Sequence, residues 1–476
     1  MTTEIKFGTD GWRAIIAEDF TFPNVRACAQ SVALYLKETG LAERGLVVGY
    51  DTRFASEDFA AAVAEVAAAN GIHAYLCDSP VPTPVVSFAL LQRKAGGAVI
   101  ITASHNSAQW SGFKYKPEYA SSASPETIAR LEEPLPAILA SDVPRLPLAE
   151  AQERGLVELI SPRQPYLEHL SELVDLETLR AAGLRVIIDS MYGAAIGWLP
   201  QLLAGGATQV QELHGERNPL FPGLQPEPIT RHLGALIDTV RATGADVGLA
   251  TDGDGDRVGI IDERGEFINQ HQVFALLAYY LLEVRGQRGP MVKSLTSTRM
   301  IHRLGELYDV AVHETPVGFK FLGPKMIAED ALIAGEESGG FAFRHHPPDR
   351  DGVLSSLYFL DLMARRGRRP SELVAELYEK VGPHYYDRID IHLEPDQKTE
   401  LVERLSRARP ERLAGLRVTD QDSTDGFRFH LEGGAWLLVR FSGTEPLLRI
   451  YAEVPGDSSL VDKLLAAGRQ LVEPNP

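Results

Sequence analysis

The chain is poor in cysteine, in long apolar runs and in positive charge. Cys28 and Cys77 are the only cysteines among 476 residues. They allow at most one disulfide, show no metal-ligand spacing, and point to two reduced thiols in a cytoplasmic protein. No apolar stretch approaches the ~20 residues that a membrane helix needs. The opening Met-Thr-Thr-Glu-Ile-Lys-Phe-Gly-Thr-Asp has no apolar core of the kind a secretory signal carries. Lys and Arg number 47 against 65 Asp and Glu, a formal charge of −18. This argues against nucleic acid and anionic membranes as partners, while a local basic pocket still suits a phosphorylated small molecule. No Gly-Lys-[Ser/Thr] ending occurs, which excludes a nucleotide P-loop.

What is present reads as a multidomain α/β protein. Apolar residues at 44% and charged residues at 24% fit a globular chain, and the length exceeds what one core organises. Short apolar runs at 46–50, 98–101, 185–188, 246–250 and 331–334 each deliver a polar loop. A helical stretch at 57–70, closed by Gly71, follows the first of them. The grammar of strand, polar loop and helix recurs about three times and predicts three related α/β domains with mixed sheets. Beyond them, period-two alternation from Arg388, a hairpin around Gly433-Gly434 and a closing helix from Ser459 predict a smaller C-terminal α+β domain. The expected domains are 1–160, 161–267, 268–383 and 384–476. The boundary signals are the proline-rich stretch 135–148, the segment 161–166 and a linker at 381–387.

Two loops carry most of the chemistry. Thr102-Ala-Ser104-His105-Asn106 offers a hydroxyl beside an imidazole. Asp252-Gly-Asp254-Gly-Asp256-Arg257 places three carboxylates on alternate residues, with glycines that let the backbone curl around a hard cation. An EF-hand is excluded, because Arg257 stands at its sixth position, where the turn requires glycine. A nucleophile elbow is excluded at Ser338, because Glu336 and not glycine precedes it by two. Ser104 therefore suits a phosphoryl group better than an acyl group, and Mg²⁺ is the cation that fits hard oxygens with a phosphate ligand. Arg440-Phe-Ser442-Gly443-Thr444 forms a further cradle for a dianion. Glu336 and Ser338 mix carboxylate and hydroxyl as sugar hydroxyls require. Arg13 lies on an N-terminal turn, Lys114 follows Ser104 by ten residues, and the adjacent His345 and His346 read as plain loop residues pointing apart.

Taken in order, these loops resemble the α-D-phosphohexomutase superfamily of phosphoglucomutases, phosphomannomutases and phosphoglucosamine mutases. The resemblance spans essentially the whole chain. It implies four domains around a central cleft, each lending one loop. It also implies that Ser104 is a phosphoserine and a metal ligand, with Asp252, Asp254 and Asp256 completing a Mg²⁺ site. Arg257, Gly318, Glu336, Ser338 and Arg350 would face the sugar phosphate, although Arg350 stands where relatives often carry lysine. Arg440, Ser442, Gly443 and Thr444 would clamp its phosphate. Arg13, His105 and Lys114 would surround the transferring phosphoryl, with His105 or Lys114 as proton acceptor. The implied activity interconverts hexose 1- and 6-phosphates through glucose 1,6-bisphosphate, which also serves as activator. Glu336-Glu337-Ser338-Gly339-Gly340 resembles the glucose-directed members, since glucosamine- and many mannose-directed ones carry His at Gly340 and Gln or Met at Glu337. Mannose or dual specificity is the alternative, followed by a serine-dependent metal phosphatase and by a non-catalytic sugar-phosphate binder. The expected assembly is a monomer or homodimer.

Overall fold

Strands buried on both faces account for the uninterrupted apolar runs. Leu46–Tyr50 and Gly97–Ile101 are buried at every position, as parallel strands are when helices cover both sides. The computed structural model describes residues 5–8, 10–394, 397–441 and 447–473. Its first sheet has six strands in the order Trp12–Ile15, Trp110–Pro117, Gly97–Ile101, Leu46–Tyr50, Ala74–Cys77, Val157–Ile160. The last four run parallel, and Trp110–Pro117 is antiparallel to both its neighbours. Helices Phe22–Glu38, Ser56–Ala69 and Thr83–Arg93 pack around it. Cys28 and Cys77 are both buried and unbonded.

The second sheet orders Phe267–Ile268, Val258–Ile261, Val247–Thr251, Arg185–Asp189 and Gln209–Leu213. The third orders Val312–Thr315, Met291–Ser294, Ile333–Gly335 and Phe341–Phe343. All three sheets share one device. A strand parallel to one neighbour turns back through a polar loop into an antiparallel partner. Those three loops carry Ser104, the aspartate triplet and Glu336. The general expectation of a helix after each polar loop is therefore corrected to a strand at the Ser104 and Glu336 loops, while after the aspartate triplet Val258–Ile261 is the strand its sequence predicts. Val258–Ile261 and Phe341–Phe343 are short, fully buried runs, better served by pairing with the strand just completed than by a helical turn.

The fourth sheet is wholly antiparallel, in the order His384–His392, Leu447–Pro455, Trp436–Phe441, Phe427–Leu431, Leu416–Asp422, Arg412–Leu413. Its alternation has a direct cause. Leu437, Val439, Leu448 and Ile450 face helices Gln397–Arg407 and Ser459–Val472, while Trp436, Leu438 and Tyr451 turn the other way onto Leu295 of the third domain.

Two boundary signals read differently in three dimensions. Helix Pro370–Val381 ends beside Gly382, at φ +80°, and strand His384–His392 begins two residues later. The connector is thus Gly382-Pro383 alone, and residues 384–387 already pair in the sheet. The proline-rich stretch is no boundary. It forms helices Leu135–Leu139 and Leu148–Glu153, whose Leu135, Ile138 and Ala151 are buried in the first core. Val157–Ile160 then returns to the first sheet. His345 is exposed, but His346 is buried. Its Nε2 lies 2.7 Å from Asp351 Oδ2 and its Nδ1 lies 3.1 Å from His169 Nε2. It is an interdomain contact rather than a plain loop residue.

Charged groups also join the fourth domain to the third. Lys293 Nζ and Arg428 donate to the two oxygens of Glu314 at 2.7 and 2.9 Å. Tyr386 and Arg388 donate to Glu337 at 3.0 and 2.8 Å. Burial opposes ionisation of Glu314, but Lys293 and Arg428 outweigh it and hold the carboxyl far below its usual range. A depressed acid stabilises the fold above its unfolded value of ~4.3, and that contribution fades as pH falls below it. Wild type is therefore expected to lose more melting temperature than Glu314→Gln between about pH 5 and about pH 3. Equal slopes in a pH series of thermal melts would sink this assignment.

Candidate active site

Ser104 sits at φ +53°, a left-handed conformation that a non-glycine residue holds only when its surroundings impose it. Arg53 imposes it. This arginine is fully buried, and its guanidinium donates to four carbonyls of the serine loop. These are Ser104 at 2.7 Å, Asn106 at 2.6 Å, Ser107 at 2.8 Å and Trp110 at 3.0 Å. Its Nε donates to Asp51 Oδ2 at 3.0 Å, and the Ser104 N–H donates to Thr102 Oγ1 at 2.9 Å. Buried carbonyls need donors, and one arginine here supplies four of them.

The aspartate loop closes against this serine. Ser104 Oγ donates to Asp252 Oδ2 at 2.9 Å. That approach requires Gly253, where a Cβ would stand 2.4 Å from the Ser104 carbonyl oxygen. All three domains anchor the loop. Thr83 N donates to Asp254 O at 2.8 Å, Ala194 N to Gly253 O at 2.9 Å and Gly352 N to Gly255 O at 3.0 Å. Asp252, Asp254 and Asp256 are fully buried, and one oxygen from each lies within 4.8 Å of the others. Asp254 Oδ2 accepts from Thr83 and from Lys114 Nζ, each at 2.7 Å. Asp254 Oδ1 and Asp256 Oδ1 are buried without a donor among the described residues. Buried carboxylate oxygens left open in this way match the hard-oxygen set of a divalent cation. Burial together with Asp256 and Asp254 pushes the Asp252 carboxyl well up. Asp254 goes down, because Lys114 and Thr83 outweigh its burial.

Around this pair of loops the cations are shared out. Lys114 Nζ lies 2.9 Å from Asp10, 2.7 Å from Asp254 and 3.5 Å from Asp256. Burial alone would lower it, but those carboxylates hold it firmly as an ammonium. His105 Nδ1 is 3.4 Å from Ser104 Oγ, and burial, Arg257 and Arg13 push its pKa well down. Arg13 donates to Asn106 Oδ1 at 2.7 Å. Arg257 Nε lies 3.8 Å from both Asp252 and Asp256 and has no hydrogen-bond acceptor among the described residues. Glu336 is buried and its carboxyl is pushed up by burial. It accepts from Ser338 Oγ at 3.3 Å and from Arg350 at 3.4 Å.

The structure therefore gathers Arg13, Ser104, His105, Lys114, the three aspartates, Arg257, Glu336, Ser338 and Arg350 into one connected site. Gly318 of the third domain and Arg440 of the fourth form a second group, where those two domains meet. Gly318, at φ +122°, begins helix Phe319–Ala328. Asp425 Oδ2 accepts both from Val317 N and from Arg440 Nε, each at 2.9 Å. Ser442, Gly443 and Thr444 lie outside the described residues. Sequence reasoning passed over Arg53, Asp10 and Lys116. The signal for Arg53 was its place in Asp51-Thr52-Arg53, at the carboxyl end of the first buried strand.

Four profiles of one family match the chain in order. They are described as phosphoglucomutase/phosphomannomutase alpha/beta/alpha domains I, II and III, over residues 4–140, 164–265 and 269–381, and the C-terminal domain, over 396–470. The chain belongs to the phosphoglucomutase/phosphomannomutase family. It is thus an enzyme of the α-D-phosphohexomutase superfamily, an intramolecular phosphotransferase acting on hexose phosphates. It is 30% identical over 472 residues to a phosphoglucomutase/phosphomannomutase of Thermococcus kodakarensis, covering 98% of each chain. It is 32% identical over 455 residues to a Methanothermobacter thermautotrophicus protein assigned as a phosphoglucosamine mutase, covering 94% of this chain and 93% of that one. A crystal structure of a Thermus thermophilus protein assigned as a phosphomannomutase superposes with a TM-score of 0.86 at 35% identity, covering 100% of both chains. No helix among the described residues is long and apolar enough to cross a membrane.

Proposed function

We propose that this phosphohexomutase interconverts glucose 1-phosphate and glucose 6-phosphate, with Ser104 as the phosphoryl carrier. The observation that carries the reading is the 2.9 Å bond from Ser104 Oγ to Asp252, in an aspartate triplet that keeps Asp254 Oδ1 and Asp256 Oδ1 without a donor among the described residues. Asp252, Asp254 and Asp256 would hold Mg²⁺, which when bound neutralises charge on the phosphoryl oxygens. The phosphorylated Ser104 loses its phosphoryl to the free hydroxyl of the sugar phosphate. The Ser104 O–P bond breaks and a sugar O–P bond forms, giving glucose 1,6-bisphosphate, while the sugar hydroxyl gives up one proton and Ser104 Oγ takes one up, so the step is proton-neutral. The bisphosphate then turns end for end, and its other phosphoryl returns to Ser104. In an in-line transfer the serine and sugar oxygens lie on opposite sides of phosphorus. His105, beside Ser104 Oγ, accordingly serves the proton on the serine side. Lys114 carries all its donors toward carboxylates and acts as fixed positive charge. Arg257, with its open Nε, would meet the sugar phosphate, and Arg440 with Ser442, Gly443 and Thr444 would clamp whichever phosphate is distal.

The preference for glucose rests on the third loop. Glu337 is turned onto Tyr386 and Arg388, and Gly340 offers no side chain. Glu336 and Ser338 are left to read the sugar. With Arg350 already 3.4 Å from Glu336, a neutral hydroxyl is better received there than the ammonium of glucosamine. The test assays glucose, mannose and glucosamine 1-phosphates with Mg²⁺ and trace glucose 1,6-bisphosphate, following both isomerisation and inorganic phosphate. Glucose is expected to lead in kcat/KM by about 10-fold or more over glucosamine, with total ester phosphate conserved. A lead for glucosamine would overturn the substrate assignment, and steady release of inorganic phosphate would replace the mutase by a phosphatase.

A further inference from the structure

Residues 349–352, Asp-Arg-Asp-Gly, are held from three domains at once. Asp349 Oδ2 accepts from Ser87 Oγ at 2.8 Å and pairs with Lys116 Nζ at 2.8 Å, both in the first domain. Asp351 caps helix Gly352–Arg366 through Leu354 N at 2.8 Å and accepts from the Tyr166 hydroxyl in the second. Gly352 N donates to the carbonyl of Gly255 in the aspartate loop, and a Cβ at Gly352 would stand 2.4 Å from the Arg257 carbonyl oxygen. The backbone at 350 therefore has nowhere to shift.

From this fixed point the Arg350 guanidinium reaches one carboxylate in each of three functional segments. It lies 2.6 Å from Asp10 on the N-terminal turn, 2.8 Å from Asp256 in the aspartate loop and 3.4 Å from Glu336 in the sugar loop. The ring of Phe319 packs 5.2 Å from its central carbon. The stem of Arg350 passes through the space that Gly340 leaves. A Cβ on Gly340 would meet Arg350 Cδ at 2.2 Å and Cγ at 2.7 Å. Unlike Gly339, at φ +87°, Gly340 does not adopt a left-handed backbone. Alanine at 340 would strain nothing but the arginine.

We propose that Arg350 and Gly340 work as one unit, in which Arg350 is the positioning residue that fixes the spacing of three active-site loops and Gly340 provides the passage it needs. The planar guanidinium presents its donors in fixed directions from several nitrogens, and from position 350 these aim at carboxylates on three separate segments, whereas a lysine at 350 would bring one compact, freely rotating ammonium with no fixed fork. The kinetic side of this inference rests on the mutase reading above, while the structural side does not.

A double-mutant cycle tests it, using the full-length wild type, Gly340→Ala, Arg350→Ala and the double variant. Each single variant is expected to lower kcat/KM for the hexose phosphate about 10–100-fold, chiefly through KM, because the loop carrying Glu336 loses its spacing. The double variant is expected to be no worse than Arg350→Ala, in kcat/KM and in melting temperature alike, because removing the stem removes the clash. Guanidinium ion added to the assay should partly restore Arg350→Ala but not Gly340→Ala, a response that general destabilisation would not give. Arg350→Lys should stay impaired. Additive losses in the double variant, or wild-type kcat/KM in Arg350→Ala, would overturn the proposal. Should the wild type turn over no hexose phosphate, the mutase reading would fall, and coupling in melting temperature would still decide the pair.

Discussion

Replacing Ser104 by alanine is expected to lower kcat by ~10⁴-fold or more, because it removes the hydroxyl proposed to carry the phosphoryl. Glu336, Ser338 and Arg257, the groups proposed to meet the sugar phosphate, are untouched, so KM should stay within about threefold of wild type. Alanine tolerates φ +53° about as poorly as serine does, and Arg53 continues to hold the loop carbonyls, so the fold should persist. The measurement is a coupled assay at saturating bisphosphate, with circular dichroism as the folding control. Intact mass after incubation with glucose 1,6-bisphosphate gives an independent readout, with a phosphoryl on wild type and none on the variant. Retention of more than a hundredth of wild-type kcat would rule out the phosphoserine route.

Arg53→Ala is expected to do comparable harm from a position that touches no substrate. The change strips donors from the carbonyls of Ser104, Asn106, Ser107 and Trp110 and leaves Asp51 buried without its cation. Removing one partner of a buried ion pair costs about 3–5 kcal/mol. Water entering the space would meet some of the orphaned carbonyls, which keeps the total from rising much further. The loop would also relax from the geometry that aims Ser104 at Asp252, and a displacement near 1 Å costs about 100-fold in rate. The expected result is a lower urea midpoint for the first domain and a kcat reduced on the order of 100-fold. Arg53→Lys should recover little of either, since one ammonium cannot serve four carbonyls. A variant with the wild-type midpoint and wild-type kcat would show that the loop holds itself.

The buried strands were legible because each is a short β-branched run ending in a polar turn, and burial on both faces writes itself directly into composition. The aspartate triplet was legible for a similar local reason, since all of its chemistry lies within five consecutive residues. Arg53 was not, because its partners are backbone carbonyls in a loop some fifty residues away, and backbone acceptors leave no trace in side-chain identity. His346 was read as a loop residue because Asp351, five residues on, shows no regular spacing to it, and His169 meets it only when the second and third domains pack. The stretch 135–148 misled for a different reason. Proline there opens short helices instead of marking a linker, as its fixed φ permits at the first turn. The pairing of Gly340 with Arg350 was hidden because a glycine's meaning depends on what fills the space beside it.

The three hairpin loops have a consequence for motion. Each is clamped at both ends by an antiparallel ladder continuous with its own sheet, so its tip has little freedom apart from the sheet that carries it. Under the proposed mechanism a bisphosphate turning end for end needs room, and lids peeling away would not supply it. Whole domains would pivot instead, with catalytic groups riding as rigid cargo and returning to the same registration at each closure. Amide exchange along the Ser104, Asp252 and Glu336 hairpins should then remain slow during turnover, while hinge residues such as Gly382 and Pro383 absorb the change.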